Sequence, residues 1–226
     1  MDIDTLKGLQ QCPLFNGLDE SEIIGLMHTV RYRIMHIGKG DILAIAGYPC
    51  LYADIIICGE MVAYITAPSG HVVRMATHQA GKLLAPAFLF ADDNRYPVTV
   101  EATTNAVVLR LTPDALDQLM FSDQRLMKNY LHMLSNIISA LTKKVRMLSM
   151  SVREKVWFYL QEQSMAQHTS NVLLPLSRQA LADHFGIQKY SLLRCLNELK
   201  QEGVISVEGR RIMILSQQII SRPAQI

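Results

Sequence analysis

The chain has 226 residues, half of them hydrophobic, enough for two modest domains with cores of their own. Its formal net charge of +2 hides an asymmetry: residues 1–142 carry 10 Lys and Arg against 14 Asp and Glu, whereas residues 143–226 carry 12 against 6. No apolar run approaches the ~20 residues of a membrane span; Cys12, Cys50, Cys58 and Cys195 form no CxxC pair and no secretory leader pattern opens the sequence, so a protein of the reducing cytoplasm, with free thiols and no membrane partner, is expected.

Asp19 and Glu22 have capping-box spacing, and Ile23, Leu26, Met27 and Val30 follow on one face, which predicts a short amphipathic helix over 18–30. From about residue 31 to 111 the pattern changes to short apolar runs at 42–46, 55–57, 61–65, 72–75, 98–100 and 107–111. Turn signals separate them at Gly38-Lys39-Gly40-Asp41, Gly47, Gly59, Pro68-Ser69-Gly70 and Gly81. That rhythm predicts an all-β sandwich or barrel. Thr112 before Pro113 then starts another short helix, ending near Phe121.

Residues 123–149 contain neither Gly nor Pro. Met127, Leu131, Leu134, Ile138, Leu141, Val145 and Leu148 alternate at spacings of four and three, an unbroken heptad seam. A second stripe lies one residue earlier, at Leu126, Tyr130, Met133, Ile137, Ala140 and Met147. Two adjacent stripes exceed what one packed face needs. One is expected to pack on the β domain and the other on a second copy of the chain, with burial within one subunit as the plain alternative. A helix over 151–163 with Val156, Trp157 and Leu160 inside, then a polar loop over 166–171, complete the middle of the chain.

Ser177 is a good N-cap for a helix over 178–185; Gly186 can supply the positive φ of a tight turn, and a second helix follows over about 188–202, stopped by Gly203. Leu181, Phe185, Ile187, Leu192 and Cys195 would hold two crossed helices together, and Ala182 is small where they approach. This is the pattern of a helix-turn-helix. Its outward residues Gln188, Lys189, Tyr190 and Arg194 carry donors suited to base edges and phosphates. A hairpin follows with Arg210 and Arg211 at its tip, a wing that would meet phosphate. Ser177, Arg178, Gln188, Lys189, Tyr190, Arg194, Arg210 and Arg211 are therefore the DNA-binding candidates. No Ser/His/Asp set in motif context, metal-spaced His/Glu cluster or phosphate-cradling glycine loop is present, and His168 stands alone in a polar loop, so an enzyme is not expected.

The fold class expected is α+β: a jelly-roll β domain over 1–121, a long dimerisation helix over 122–149 and a winged helix-turn-helix over 150–226. With Pro13-Leu14-Phe15, Lys39-Gly40-Asp41 and Ile57-Cys58-Gly59-Glu60-Met61-Val62, this order resembles the Crp/Fnr family of bacterial transcription regulators over nearly the whole chain. The resemblance implies an effector-sensing β domain, a homodimer on a palindromic DNA site, and RNA polymerase as a further partner.

The effector region departs from the best-known members. Their cyclic-nucleotide pocket carries a Gly-Glu-Leu stretch and an Arg followed by small residues. Here Gly81-Lys82-Leu83-Leu84-Ala85-Pro86-Ala87-Phe88 holds no Glu, and Tyr96-Pro97 follows Arg95. This argues against cyclic AMP. Arg95, Tyr96 and Phe88 remain the effector-site candidates, with pairing of Arg95 to Asp92 or Asp93 as the structural alternative. Cys12 stands alone where the oxygen-sensing branch has a cysteine group, which argues against an iron–sulfur cluster. The stretch 84–98 is similar to Bacteroidetes-type members, some linked to haem and nitrosative stress. Haem is thus a candidate cofactor, with His28, His36, His71, His78, Cys50, Cys58 and the methionines as open axial-ligand choices.

Overall fold

The structure, a computed structural model, describes residues 1–67 and 69–216, apart from the side chain of Leu148. Pro68 of the expected turn and the stretch 217–226 lie outside the described residues. The chain divides into two compact units, Met1–Ser139 and Ala140–Ile226.

The first unit opens with α1 (Ile3–Gln10), a 3-10 turn (Pro13–Phe15) and α2 (Glu20–His28). Asp19 caps α2 with the full box: its carboxylate accepts from the Glu22 amide, and the Glu22 carboxylate accepts from the Asp19 amide. Seven strands follow: β1 (Tyr32–Ile37), β2 (Ile42–Ala44), β3 (Ala53–Cys58), β4 (Met61–Thr66), β5 (Val72–His78), β6 (Thr99–Ala102) and β7 (Ala106–Leu111). They form two antiparallel sheets, ordered β1-β7-β3 and β2-β6-β4-β5. Ile55 and Leu109 of one sheet and Met61 and Val100 of the other belong to one buried core, the two-layer packing of a β-roll. Both α3 (Pro113–Ser122), capped by Thr112, and the start of α4 (Gln124–Ser149) pack on that core through Leu116, Leu119, Leu126 and Tyr130.

Helix α1 and strand β1 of this unit were not expected from the sequence. Helix α1 has only Leu6 and Leu9 as large buried residues, too few to show a period, and Gly8 weakens its helical signal. The glycine is nonetheless required, because a Cβ there would come within 2.8 Å of the Ile57 backbone on β3. Strand β1 alternates poorly, since Ile34 and Met35 are both half-buried, and it is defined by six register pairs with β7.

In the second unit α5 (Val152–Gln167) is capped by Ser151 and Glu154 in a second box. It runs a turn beyond the expected helix and stops at His168, whose φ of 49° makes the left-handed cap. The first two residues of the expected polar loop are therefore helix, 168–170 form the turn, and its last residue opens β8 (Asn171–Leu173). Then come α6 (Arg178–Phe185), α7 (Lys189–Gln201), β9 (Ile205–Glu208) and β10 (Arg211–Ile214), the last three strands forming an antiparallel sheet ordered β8-β10-β9. Val156, Trp157, Leu160, Leu181, Leu192, Leu199 and Ile212 make a separate core.

Candidate nucleic-acid interface and effector region

Helices α6 and α7 are joined by a turn of three residues. Ser177 caps α6 by accepting from the Ala180 amide at 3.1 Å. Gly186 ends it at φ 63°, and its amide donates to the carbonyls of Ala182 and Asp183. The predicted interior holds: Leu181, Ala182, Phe185, Leu192 and Cys195 are buried and Ile187 is packed against them. Burial pushes the Cys195 thiol up to about 11, so it serves as a small core residue rather than a reactive group.

Gln188, Lys189, Tyr190 and Arg194 are all exposed, Tyr190 to 74%. Gln188 occupies the N-cap position of α7 without a side-chain capping bond, which leaves its amide for another partner. Arg194 is held by Glu198 one turn on, at 2.9 Å; with both groups exposed, such a pair is weak and readily exchanged for a stronger anion. At the wing, Arg178 Nη2 donates to the Gly209 carbonyl at 2.9 Å and Arg210 Nη2 to the Pro175 carbonyl at 2.7 Å. Burial, and then the neighbouring Arg210, lower the pKa of Arg178, and its buried Nη1 has no partner among the described residues. Positive charge is thus concentrated beside the start of α6, where helix-end amides also favour an anion. Arg211 is exposed on β10.

Two supports of this surface were not visible in the sequence. Lys155 on α5 is buried, and its ammonium donates to the Phe185 carbonyl at the end of α6, at 3.2 Å. A cation there complements the negative end of a helix. Arg153 forks onto both carboxylate oxygens of Glu202, tying α5 to the end of α7. These partners are 30 and 49 residues apart, so no local spacing announces them.

Helix α4 presents its two stripes differently. In the first unit Leu126 and Tyr130 are buried, with Met133 packed beside them. The Tyr130 hydroxyl donates to the Pro86 carbonyl at 2.6 Å, and Asn129 donates to the carbonyls of Leu14 and Asn16. Of the other stripe, Leu131, Ile138, Leu141 and Val145 are 55–65% exposed, while Met127 and Leu134 are half-buried. The Leu148 side chain lies outside what is described.

The effector candidates do not converge. Phe88 and Tyr96 line a cavity of about 190 Å³ with Val98 and Ile137, and Tyr130 closes against Phe90 at 6.0 Å. Arg95 is outside this lining, 69% exposed and 3.5 Å from Asp93. The Tyr96 phenol is raised above its usual range by burial and by the Cys50 thiol beside it. The cavity wall offers Lys82 and His78 but no carboxylate, and burial, with Lys82 nearby, lowers the His78 pKa. A cyclic nucleotide would find neither a ribose-binding carboxylate nor an aimed arginine, so these residues do not fit it. Haem does not fit this cavity either: its volume lies below the ~300–1,000 Å³ of ordinary ligand sites, and of the haem-ligand candidates its wall holds His78 alone. Cys12 is buried and its thiol is pushed up to about 11 by desolvation.

The geometry defines a two-part protein, a β-roll followed by a winged helix-turn-helix. Residues 34–123 match the model of the cyclic nucleotide-binding domain, and residues 154–218 match that of the Crp-like helix-turn-helix domain. The chain is a Crp/Fnr-family transcription regulator. No curated protein matches it. Among solved structures it is similar to the catabolite activator protein of Thermus thermophilus, at 18% identity over 89% of this chain and 93% of that one, with a TM-score of 0.56. A transcriptional regulator from Thermotoga maritima matches at 19% identity over 59% of this chain and 100% of its own, with a TM-score of 0.53. The N-terminal domain of a Streptomyces coelicolor regulator matches at 19% over 61% of this chain and 94% of that one, with a TM-score of 0.50. At these identities the likeness establishes the fold.

Proposed function

We propose that this regulator binds a palindromic DNA site as a homodimer, reading bases with Gln188, Lys189, Tyr190 and Arg194 and phosphates with Ser177, Arg178, Arg210 and Arg211. The observation that carries this is the exposed face at the start of α7, polar and basic, standing on a buried helix-turn-helix core. A helix of this kind enters the major groove with its N-terminal residues against base edges. The α4 stripe through Leu131, Ile138, Leu141 and Val145 supports pairing of two copies, because aliphatic side chains exposed at heptad spacing favour a partner helix. Recognition half-sites would then lie about one turn of DNA apart. At the promoter the dimer meets RNA polymerase.

The β domain answers to a ligand other than cyclic AMP, given a cavity wall without a carboxylate and an Arg95 paired with Asp93. The similarity of 84–98 to Bacteroidetes-type members favours that branch, while the small cavity favours a compact ligand over haem. Selection of bound sequences from random DNA, followed by gel-shift titration, tests the reading. Arg194→Ala and Lys189→Ala are each expected to lose about 1–3 kcal/mol of binding or discrimination. Unchanged affinity and unchanged sequence preference in both variants would overturn direct readout by α7.

A further inference from the structure

The β1-β7-β3 sheet carries a second, larger concavity that no part of the DNA-binding function uses. Its volume is about 670 Å³, within the usual range for small-molecule sites (~300–1,000 Å³). Register places Arg33, Arg110 and Asp54 directly abreast on the three strands. Like charges facing each other across a strand pair repel, so an Arg33–Arg110 neighbourhood needs an anion. Asp54 supplies one, but only to Arg110: the carboxylate takes Nε and Nη2 in a fork, both at 2.7 Å. Arg110 also lies over the Tyr52 ring, 4.5 Å from its centre. Arg33, and Arg31 just before the strand, have neither an ion pair nor a hydrogen bond among the described residues. Both line the concavity, together with Tyr32, Tyr52 and Met35, and no carboxylate does.

We propose that this groove binds an organic anion, a carboxylate or phosphate carried on a flat apolar body. Arg31 and Arg33 hold the anionic group, and the Tyr52 ring with the Met35 side chain, which shares the Arg33 face of its strand, covers the body. Guanidinium groups suit both anions because their forked donors match paired oxygens. The concave, aromatic-walled shape favours a small molecule over an acidic protein segment, which would need a broader surface. The site is separate from the cavity at Phe88 and extends the regulator reading without resting on its DNA contacts.

Fluorescence titration of the full chain with 8-anilinonaphthalene-1-sulfonate tests the proposal. About one probe per chain is expected to bind, and to be displaced by 1-naphthoate and by 1-naphthyl phosphate, whose relative strengths identify the preferred anion, but not by neutral 1-naphthamide. Arg31→Gln combined with Arg33→Gln should weaken the probe and both competitors by at least about tenfold, with the melting temperature and DNA affinity unchanged. Arg33→Lys, which keeps the charge but not the fork, should bind the probe more weakly than the parent and more tightly than Arg33→Gln, and Arg31→Gln alone gives the same reading if the double variant does not fold. Arg110 is left intact, since its removal would strand Asp54. Equal affinity in the arginine variants, or displacement by 1-naphthamide as strong as by 1-naphthoate, overturns the site. Stronger displacement by a Glu-rich peptide than by the naphthyl anions overturns its small-molecule character. Loss of DNA binding by the parent protein would instead count against the regulator reading and leave this titration untouched.

Discussion

Gly186 shows how much of the DNA-reading surface rests on one backbone angle. Its φ of 63° is left-handed, and a Cβ there would meet nothing within 4 Å. Strain is therefore the whole cost of a side chain at this position. Gly186→Ala is expected to destabilise the second unit by about 1 kcal/mol, the left-handed penalty of an L-residue less the entropy removed from its unfolded chain. Urea unfolding followed by Trp157 fluorescence measures it; an unchanged midpoint would mean that the turn relaxes to another geometry. Gly8 is the opposite case, constrained by space, since the Ile57 backbone stands 2.8 Å from where a Cβ would be.

Helix α4 is the element on which assembly is expected to depend. Ile138 is 63% exposed and near the middle of the apolar stripe. Ile138→Glu would bring two carboxylates to the same seam, and analytical ultracentrifugation should then show monomers where the parent shows dimers. A variant that stays dimeric would move the interface elsewhere. The start of the same helix is held by charge: Arg125 meets Glu22 at 2.8 Å and Asp123 at 2.6 Å. Arg125 first, for both, keeps Glu22 and Asp123 below the ordinary carboxylate range; the Glu22 amide does the same for the capping Asp19. Carboxylates with lowered folded-state pKa values contribute stability above their unfolded values and lose it as the pH falls through the folded ones. Acid unfolding should therefore steepen below the ordinary carboxylate range, and Arg125→Ala should flatten that limb in a pH series of thermal melts. The groups are exposed and the effect belongs to low salt.

For the molecule as a whole, charge is divided as the work is. The excess of Lys and Arg in residues 143–226 marks the unit that meets DNA, while the slightly acidic remainder holds the β-roll. Phosphate contacts release counterions, so affinity should fall linearly with the logarithm of salt concentration. Replacing Arg210 and Arg211 by Ala should lower that slope by roughly 1 to 2 per chain while leaving sequence preference intact. A slope that does not change would remove the wing from the interface.

Much of this was readable from local order. Capping residues, glycines at turns and heptad spacing act over a few neighbours, so Asp19, Thr112, Ser177, Gly186 and the α4 stripes declared their elements, and the helix-turn-helix interior was correct residue by residue. Strand β1, helix α1 and strand β8 were not declared, because each is held by partners distant in the chain: β7, the backbone of β3, and β10. The supports of the DNA-reading surface have the same origin, as with Lys155 on the Phe185 carbonyl. The sequence by itself determined the order of the domains and which residues of the second helix face outward, since caps and periodicity are properties of neighbours. Only the tertiary structure decided that Arg95 pairs with Asp93, that the cavity at Phe88 is small, and that Arg33 stands beside Arg110 on the roll. Sheet register brings residues together that no linear spacing relates, and cavity shape follows from how side chains fill the space between elements.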